Sequence, residues 1–133
     1  MTEPLLEAVN LTKELGSGAG KVAALKGVSL ALNGGELTLL MGPSGSGKTT
    51  LLSILGCMLT PTEGTVRVCQ HSTAGLDPEE LARLRREHIG FVFQSFHLFP
   101  TLSTTDNVRL ALDVRGERSR ASAWRSTAAN SLC

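Results

Sequence analysis

Apolar and polar positions follow three different rhythms along this chain, and each rhythm predicts a different kind of element. Residues 5–11 suit a strand, and residues 15–21 (LGSGAGK) form a glycine-rich connection of the hairpin type. Over residues 22–32, Val28, Leu30 and Leu32 fall on alternate positions, as in a half-buried strand that ends at the turn Asn33-Gly34-Gly35. Residues 37–41 are apolar everywhere except Thr38, which predicts a strand covered on both faces, as in a parallel sheet. A helix from about Lys48 places Leu51, Leu52, Leu55 and Leu59 on one stripe, with Cys57 and Met58 as packing residues. Pro61 and Gly64 end that element, and residues 65–69 read as a further short strand.

The second half begins with a strong helix start. Asp77 can cap, Pro78 suits the first helical position, and Glu80 stands where a capping box needs an acid. That helix runs to about Glu87, with Leu81 and Leu84 inward and Arg83, Arg85 and Arg86 on a solvated outer face. Residues 89–93 (IGFVF) form a second two-sided apolar strand, ending at Gln94. In an open α/β sheet ligands gather at the carboxyl ends of strands, which puts Gln94 and Gly42 on the same reactive edge. In the loop 95–102, Phe96, Leu98 and Phe99 are too apolar for a solvated connection; they fold back onto the core or meet a partner. Residues 103–106 offer another cap, and Val108, Ala111 and Leu112 begin an amphipathic helix. Residues 118–133 are rich in Ser, Ala and Arg, with Trp124 and Leu132 the only large apolar side chains. The organisation expected is one partial domain over residues 1–116 and a poorly ordered tail over 117–133.

Composition narrows the function classes. A net charge of +1 over 133 residues gives no broad pull toward nucleic acid or an anionic membrane. No basic-then-apolar leader opens the chain, which argues against secretion, and no apolar run approaches the roughly 20 residues that cross a bilayer. The three cysteines, Cys57, Cys69 and Cys133, make no C-x-x-C pair, so a reducing compartment is expected rather than a disulfide framework or a zinc site. His71, His88 and His97 lack ligand-like spacing and are read as solvated.

The stretch that carries chemistry is Gly42, Pro43, Ser44, Gly45, Ser46, Gly47, Lys48, Thr49 and Thr50, which fits G-x-x-x-x-G-K-[ST]. Its setting, apolar strand before and helix start after, is the one this motif requires. Glycines let successive N–H groups turn inward on a phosphate, and the helix behind adds roughly half a positive charge at the same place. Lys48 would then reach the β- and γ-phosphates, and the Thr49 hydroxyl would hold Mg²⁺.

Over approximately residues 5–112 the chain resembles the first part of an ABC transporter ATP-binding subunit. The resemblance rests on GPSGSGKTT, on LRREHIGFVFQ ending in Gln94, and on LFPTLSTTDNV. The last two resemble the branch that serves lipoprotein release and macrolide-type or antimicrobial-peptide export. It implies an α/β fold, the N-terminal portion of a P-loop NTPase with an antiparallel β subdomain and an incomplete core sheet. It also implies ATP and Mg²⁺ as cofactors, with residues 44–50 around the phosphates, Thr49 on the metal and Thr50 near the α-phosphate. Gln94 matches the glutamine that links Mg²⁺ and the attacking water to the membrane-spanning subunit, a catalytic and metal-binding role. The region of Phe96, Leu98 and Phe99 is then the dock for that subunit's coupling helix. A second ATP-binding subunit would complete a dimer, with no nucleic acid involved, on the cytoplasmic face of the cell membrane.

Departures from the family pattern shape the functional expectation. Leu15 stands near the place of the aromatic that stacks on adenine, and Cys69-Gln70-His71 occupies a turn where glycine is usual. The chain contains no L-S-G-G-Q signature, no later apolar strand ending in Asp-Glu and no switch histidine. Asp77, Asp106 and Asp113 follow no apolar strand and are no substitutes. The expectation is a truncated or frameshifted copy that binds Mg-ATP weakly without turnover and exposes the edges of its two-sided strands. The alternatives are a non-catalytic nucleotide-binding module and a P-loop small-molecule kinase. The IGFVFQ segment and its loop favour the transporter reading over the kinase.

Overall fold

The computed structural model describes residues 3–114 except Phe96. These fall into two compact units that divide between Ile89 and Gly90. The expected tail over 117–133 lies outside the described residues.

The first unit is built on one antiparallel sheet. Strands β1 (Leu6–Leu15), β2 (Val22–Leu32), β3 (Glu63–Val68) and β4 (His71–Ser72) lie in the order β2-β1-β3-β4. The hairpin expected from the alternating pattern is present, with Leu6 opposite Leu32 and Leu15 opposite Val22. Its connection contains a short 3-10 turn at Gly18–Gly20, so β1 extends beyond the Leu11 limit expected from pattern alone. The register slips near Asn10, which takes a left-handed φ of 51° and donates its N–H to Ser29 Oγ at 2.8 Å. Opposite this bulge only glycine fits at 64: a Cβ there would sit 2.6 Å from the Val9 carbonyl oxygen.

The sheet order dictates where the rest of the unit goes. β2 and β3 lie on opposite sides of β1, so residues 33–62 must cross the sheet to join them. Helix α1 (Lys48–Leu55) lies in that crossover and buries Leu51, Ile54 and Leu55 in one cluster with Ala8, Leu11, Leu25, Val66 and Val68. Leu11 is completely inaccessible. The buried stripe differs from the one expected. Leu52 is exposed, because one residue is about 100° of helix rotation, and Ile54 takes the inward place. Leu59 lies past the helix end and packs only partly.

The C-terminus of α1 closes in a Schellman turn, with Cys57 N–H bonded to the Ile54 carbonyl (3.0 Å) and Met58 N–H to that of Ser53 (2.9 Å). Cys57 holds the left-handed position (φ 55°) that usually falls to glycine. It is buried as expected of a packing residue, whereas Met58 is exposed. Helix α2 (Pro78–His88) starts with the expected capping box. Asp77 Oδ1 accepts the N–H groups of Glu79 (2.9 Å) and Glu80 (2.8 Å), and Glu80 Oε2 accepts that of Asp77 (2.9 Å). Leu84 is buried and Leu81 half-buried, as their spacing predicts. Arg85 departs from the solvated face expected for it: it is half-buried and Nη1 donates to the Cys57 carbonyl.

Neither two-sided apolar segment forms a strand. Residues 37–41 make no ladder with any described strand, and Leu37, Leu39 and Met41 are exposed. Residues 91–93 are likewise outside any strand and exposed. A segment apolar on both faces needs a neighbouring strand on each side and cover above and below. The antiparallel sheet of the first unit supplies none of this, so the apolar side chains stand in solvent.

In the second unit, helix α3 (Thr104–Val114) starts where the sequence offers a cap. Ser103 Oγ accepts the N–H of Asp106 at 3.1 Å and donates to Asp106 Oδ2 at 2.6 Å.

Candidate functional site

The loop before α1 is shaped by its glycines and held by β2. Ser46 N–H bonds back to the Pro43 carbonyl at 3.3 Å, closing a tight turn in which Gly45 has φ 78°. Gly47 is left-handed (φ 89°) and lies so close to β2 that a Cβ would collide with the Ala24 carbonyl oxygen and approach Leu25 Cδ2 to 3.0 Å. Any side chain at 47 therefore pushes the loop off the strand. Being glycine, residue 47 caps α1 without a side-chain hydrogen bond, and the first helical bond runs from Leu51 N–H to the Gly47 carbonyl (2.8 Å). The amides of Lys48, Thr49 and Thr50 thus belong to the orphan donors of a helix N-terminus, where the dipole favours an anion.

Lys48 is turned back into the loop. Its Nζ donates to the Gly42 carbonyl (2.7 Å), the Pro43 carbonyl (2.6 Å) and Ser46 Oγ (3.3 Å). All three ammonium donors are engaged, so the charge is fixed between the two arms of the loop rather than spread over many rotamers. Pro43, Ser44, Gly45 and Ser46 are exposed, as is Thr49, while Thr50 is half-buried. The loop therefore carries one cation, the orphan amides of a helix N-terminus and an accessible hydroxyl within a few residues of one another. That arrangement suits a phosphate chain accompanied by a hard cation. Among the described residues no group of three or more His, Cys, Asp or Glu side chains is suited to hold a metal. Thr49 is one of the exposed hydroxyls that this loop offers, and it lies in the first turn of α1.

Gln94 belongs to the second unit, in an exposed turn directly after Phe93. The turn carries an aromatic cluster, with Phe93 stacked on His97 at 4.3 Å and tilted against Phe91 at 4.8 Å between ring centroids. Phe96, one of the expected docking residues, lies outside the described residues; Leu98 and Phe99 are exposed. Asn107 anchors the loop that bears them. Its Oδ1 accepts Phe99 N–H (2.8 Å), and its Nδ2 donates to the carbonyls of Phe99 (3.2 Å), Leu102 (3.2 Å) and Ser103 (3.0 Å). Asn107 and Arg85 are the two polar residues that pattern reading passed over. An asparagine in the first turn of a helix, able to bond nearby backbone, was the available signal for the first. None marked the second.

Comparison with known proteins agrees with this geometry. The ABC transporter family profile matches residues 25–132. Macrolide export ATP-binding/permease protein MacB of Burkholderia thailandensis is 47% identical over 110 residues, covering 83% of this chain and 17% of that protein. MacB 1 of Aeromonas hydrophila is 48% identical over the same shares. The chain thus spans about a sixth of the length of the curated relatives it matches. Among solved structures, the dimeric post-hydrolysis state of the ATP-binding cassette MJ0796 bound to ADP and Pi superposes with TM-score 0.79 at 42% identity. It covers 89% of this chain and 54% of that one. A second dimeric structure of MJ0796, a bacterial ABC transporter cassette, gives TM-score 0.78 at 45% identity, covering 83% and 47%. With a glycine loop, a buried crossover helix and these likenesses over most of its length, the chain belongs to the ABC transporter family and corresponds to part of its ATP-binding cassette.

Proposed function

We propose that residues 42–50 bind the phosphates of Mg-ATP, and that the complete cassette uses this binding to drive export or lipoprotein release. The observation that carries the reading is Lys48 Nζ, held by the loop carbonyls at the N-terminus of α1, which has no side-chain cap. The α1 amides bind phosphate oxygens, Lys48 moves its donors from the loop carbonyls onto the β- and γ-phosphates, and Thr49 presents its hydroxyl to the metal. When bound, Mg²⁺ neutralises the charge that builds on the β- and γ-oxygens. Gln94 is assigned to the metal and the attacking water, and exposed Leu98 and Phe99, with Phe96, to a membrane-spanning partner. The relatives' name, ATP-binding/permease protein, and the dimeric state of MJ0796 support a permease and a second cassette as partners. The setting proposed is the cytoplasmic face of the cell membrane; no helix among the described residues is long and apolar enough to cross it.

The test is nucleotide binding by the full chain, followed with a fluorescent ATP analogue with and without Mg²⁺. Lys48→Ala should weaken binding by roughly tenfold or more, since it removes a charge-assisted contact to phosphate. Equal affinity in parent and variant would remove the loop from the function.

A further inference from the structure

The end of α1 remote from the phosphate loop is tied to α2 by one side chain. Arg85 Nη1 donates to the Cys57 carbonyl, inside the Schellman turn that terminates α1. The contact is half-buried and spans 28 residues of sequence. It satisfies a carbonyl in the turn that ends the helix and sets a positive charge at the negative end of its dipole. The same guanidinium lies near enough to the Cys57 thiol to oppose, in part, the upward push that burial gives its pKa.

Resting on the phosphate-binding reading above, we infer that Arg85 is a positioning residue for nucleotide binding, acting through the orientation of α1. The helix is held at three places: Gly47 against β2, the buried face of Leu51, Ile54 and Leu55, and the Arg85 contact at the far end. Hydrophobic packing fixes how deep α1 sits but is non-directional, so it resists tilt less well than a hydrogen bond at the end of the rod. With 8 residues, α1 is about 12 Å long, so a tilt of about 5° displaces its N-terminal amides by about 1 Å. Misplacement of that size is enough to cost a binding geometry built from several aligned donors.

The experiment compares Arg85→Met, Arg85→Lys and Val68→Ala in the full chain. Val68 is buried in β3 and belongs to the same core, but it is part of neither the loop motif nor the turn that ends α1. Arg85→Met should weaken Mg-ATP binding roughly tenfold, Arg85→Lys should restore part of it, and Val68→Ala should lower the melting temperature while leaving affinity unchanged. Hydrogen exchange over residues 42–52 without nucleotide should rise more in Arg85→Met than in Val68→Ala. Should Arg85→Met fail to fold, Arg85→Lys carries the comparison alone, with intermediate shifts in both readouts. Parent-like affinity and exchange in the Arg85 variants, or equal losses in Val68→Ala, would overturn the inference. A parent chain that binds no Mg-ATP would sink the phosphate reading instead, and the exchange comparison would still decide whether Arg85 orders the loop.

Discussion

Strand β2 and residues 37–41 are separated only by Asn33, Gly34, Gly35 and Glu36, and both are rich in apolar side chains. β2 pairs with β1 from end to end, whereas residues 37–41 pair with no described strand and leave Leu37 fully exposed. The two differ in what their patterns need. Alternation asks for cover on one face, and an antiparallel neighbour a short turn away supplies the edge. A segment apolar on both faces asks for parallel neighbours, which lie a crossover connection away at the least. Local sequence can satisfy the first need and never the second.

The two regions should differ most in what they contribute to stability. Leu11→Ala, in the middle of the paired region, should lower the unfolding free energy by about 3 kcal/mol in urea titration. A much smaller loss would mean that the hairpin core is looser than its packing shows. Asp77→Ala removes both acceptor contacts of the α2 capping box and should cost about 1 kcal/mol by the same titration, with helix signal lost in far-ultraviolet circular dichroism. Leu37→Ser should change stability by less than about 0.5 kcal/mol while reducing aggregation in light scattering. If it proves as costly as Leu11→Ala, residues 37–41 are covered in solution and the contrast fails.

The paired core should also show a small dependence on alkaline pH. Burial raises the Cys57 thiol above its ordinary value of 9.0, with Arg85 opposing. Below that value the thiol is neutral in folded and unfolded chains alike. As pH rises through the raised native value, the unfolded chain has already ionised, so its proton deficit favours unfolding and stability is lost. Cys57→Ala should therefore flatten the alkaline fall of the urea midpoint above about pH 9. An unchanged slope would show the thiol to be solvated.

What could be read from sequence follows the same division. The hairpin, the α2 cap and the glycine loop were legible because each is specified by residues within a few positions of one another. The stripe of α1 was legible only in part, since four leucines suggested one face and the sheet selected another that includes Ile54. The bond from Arg85 to Cys57 was hidden, because an arginine on a charged helix looks the same whether its head meets water or a distant carbonyl. Residues 37–41 show the exposure expected of a strand without neighbours, but the strand itself does not form, for a related reason. Pattern reports the surroundings a segment is suited to, and pairing depends on strands elsewhere in the chain.

The sheet order β2-β1-β3 also sets a sequence of events in time. The β1–β2 hairpin closes a short loop, whereas pairing Leu6 with Val68 closes a far longer one and must be slower in forming. Until β3 docks on the free edge of β1, residues 33–62 are a chain anchored at one end, and α1 lacks the β3 side of its core. The seat of α1, whose Leu51, Ile54 and Leu55 share one core with Val66 and Val68, is thus completed only when β3 arrives. Slowing that docking, for instance at Gly64, should delay the appearance of ATP binding during refolding without delaying the hairpin.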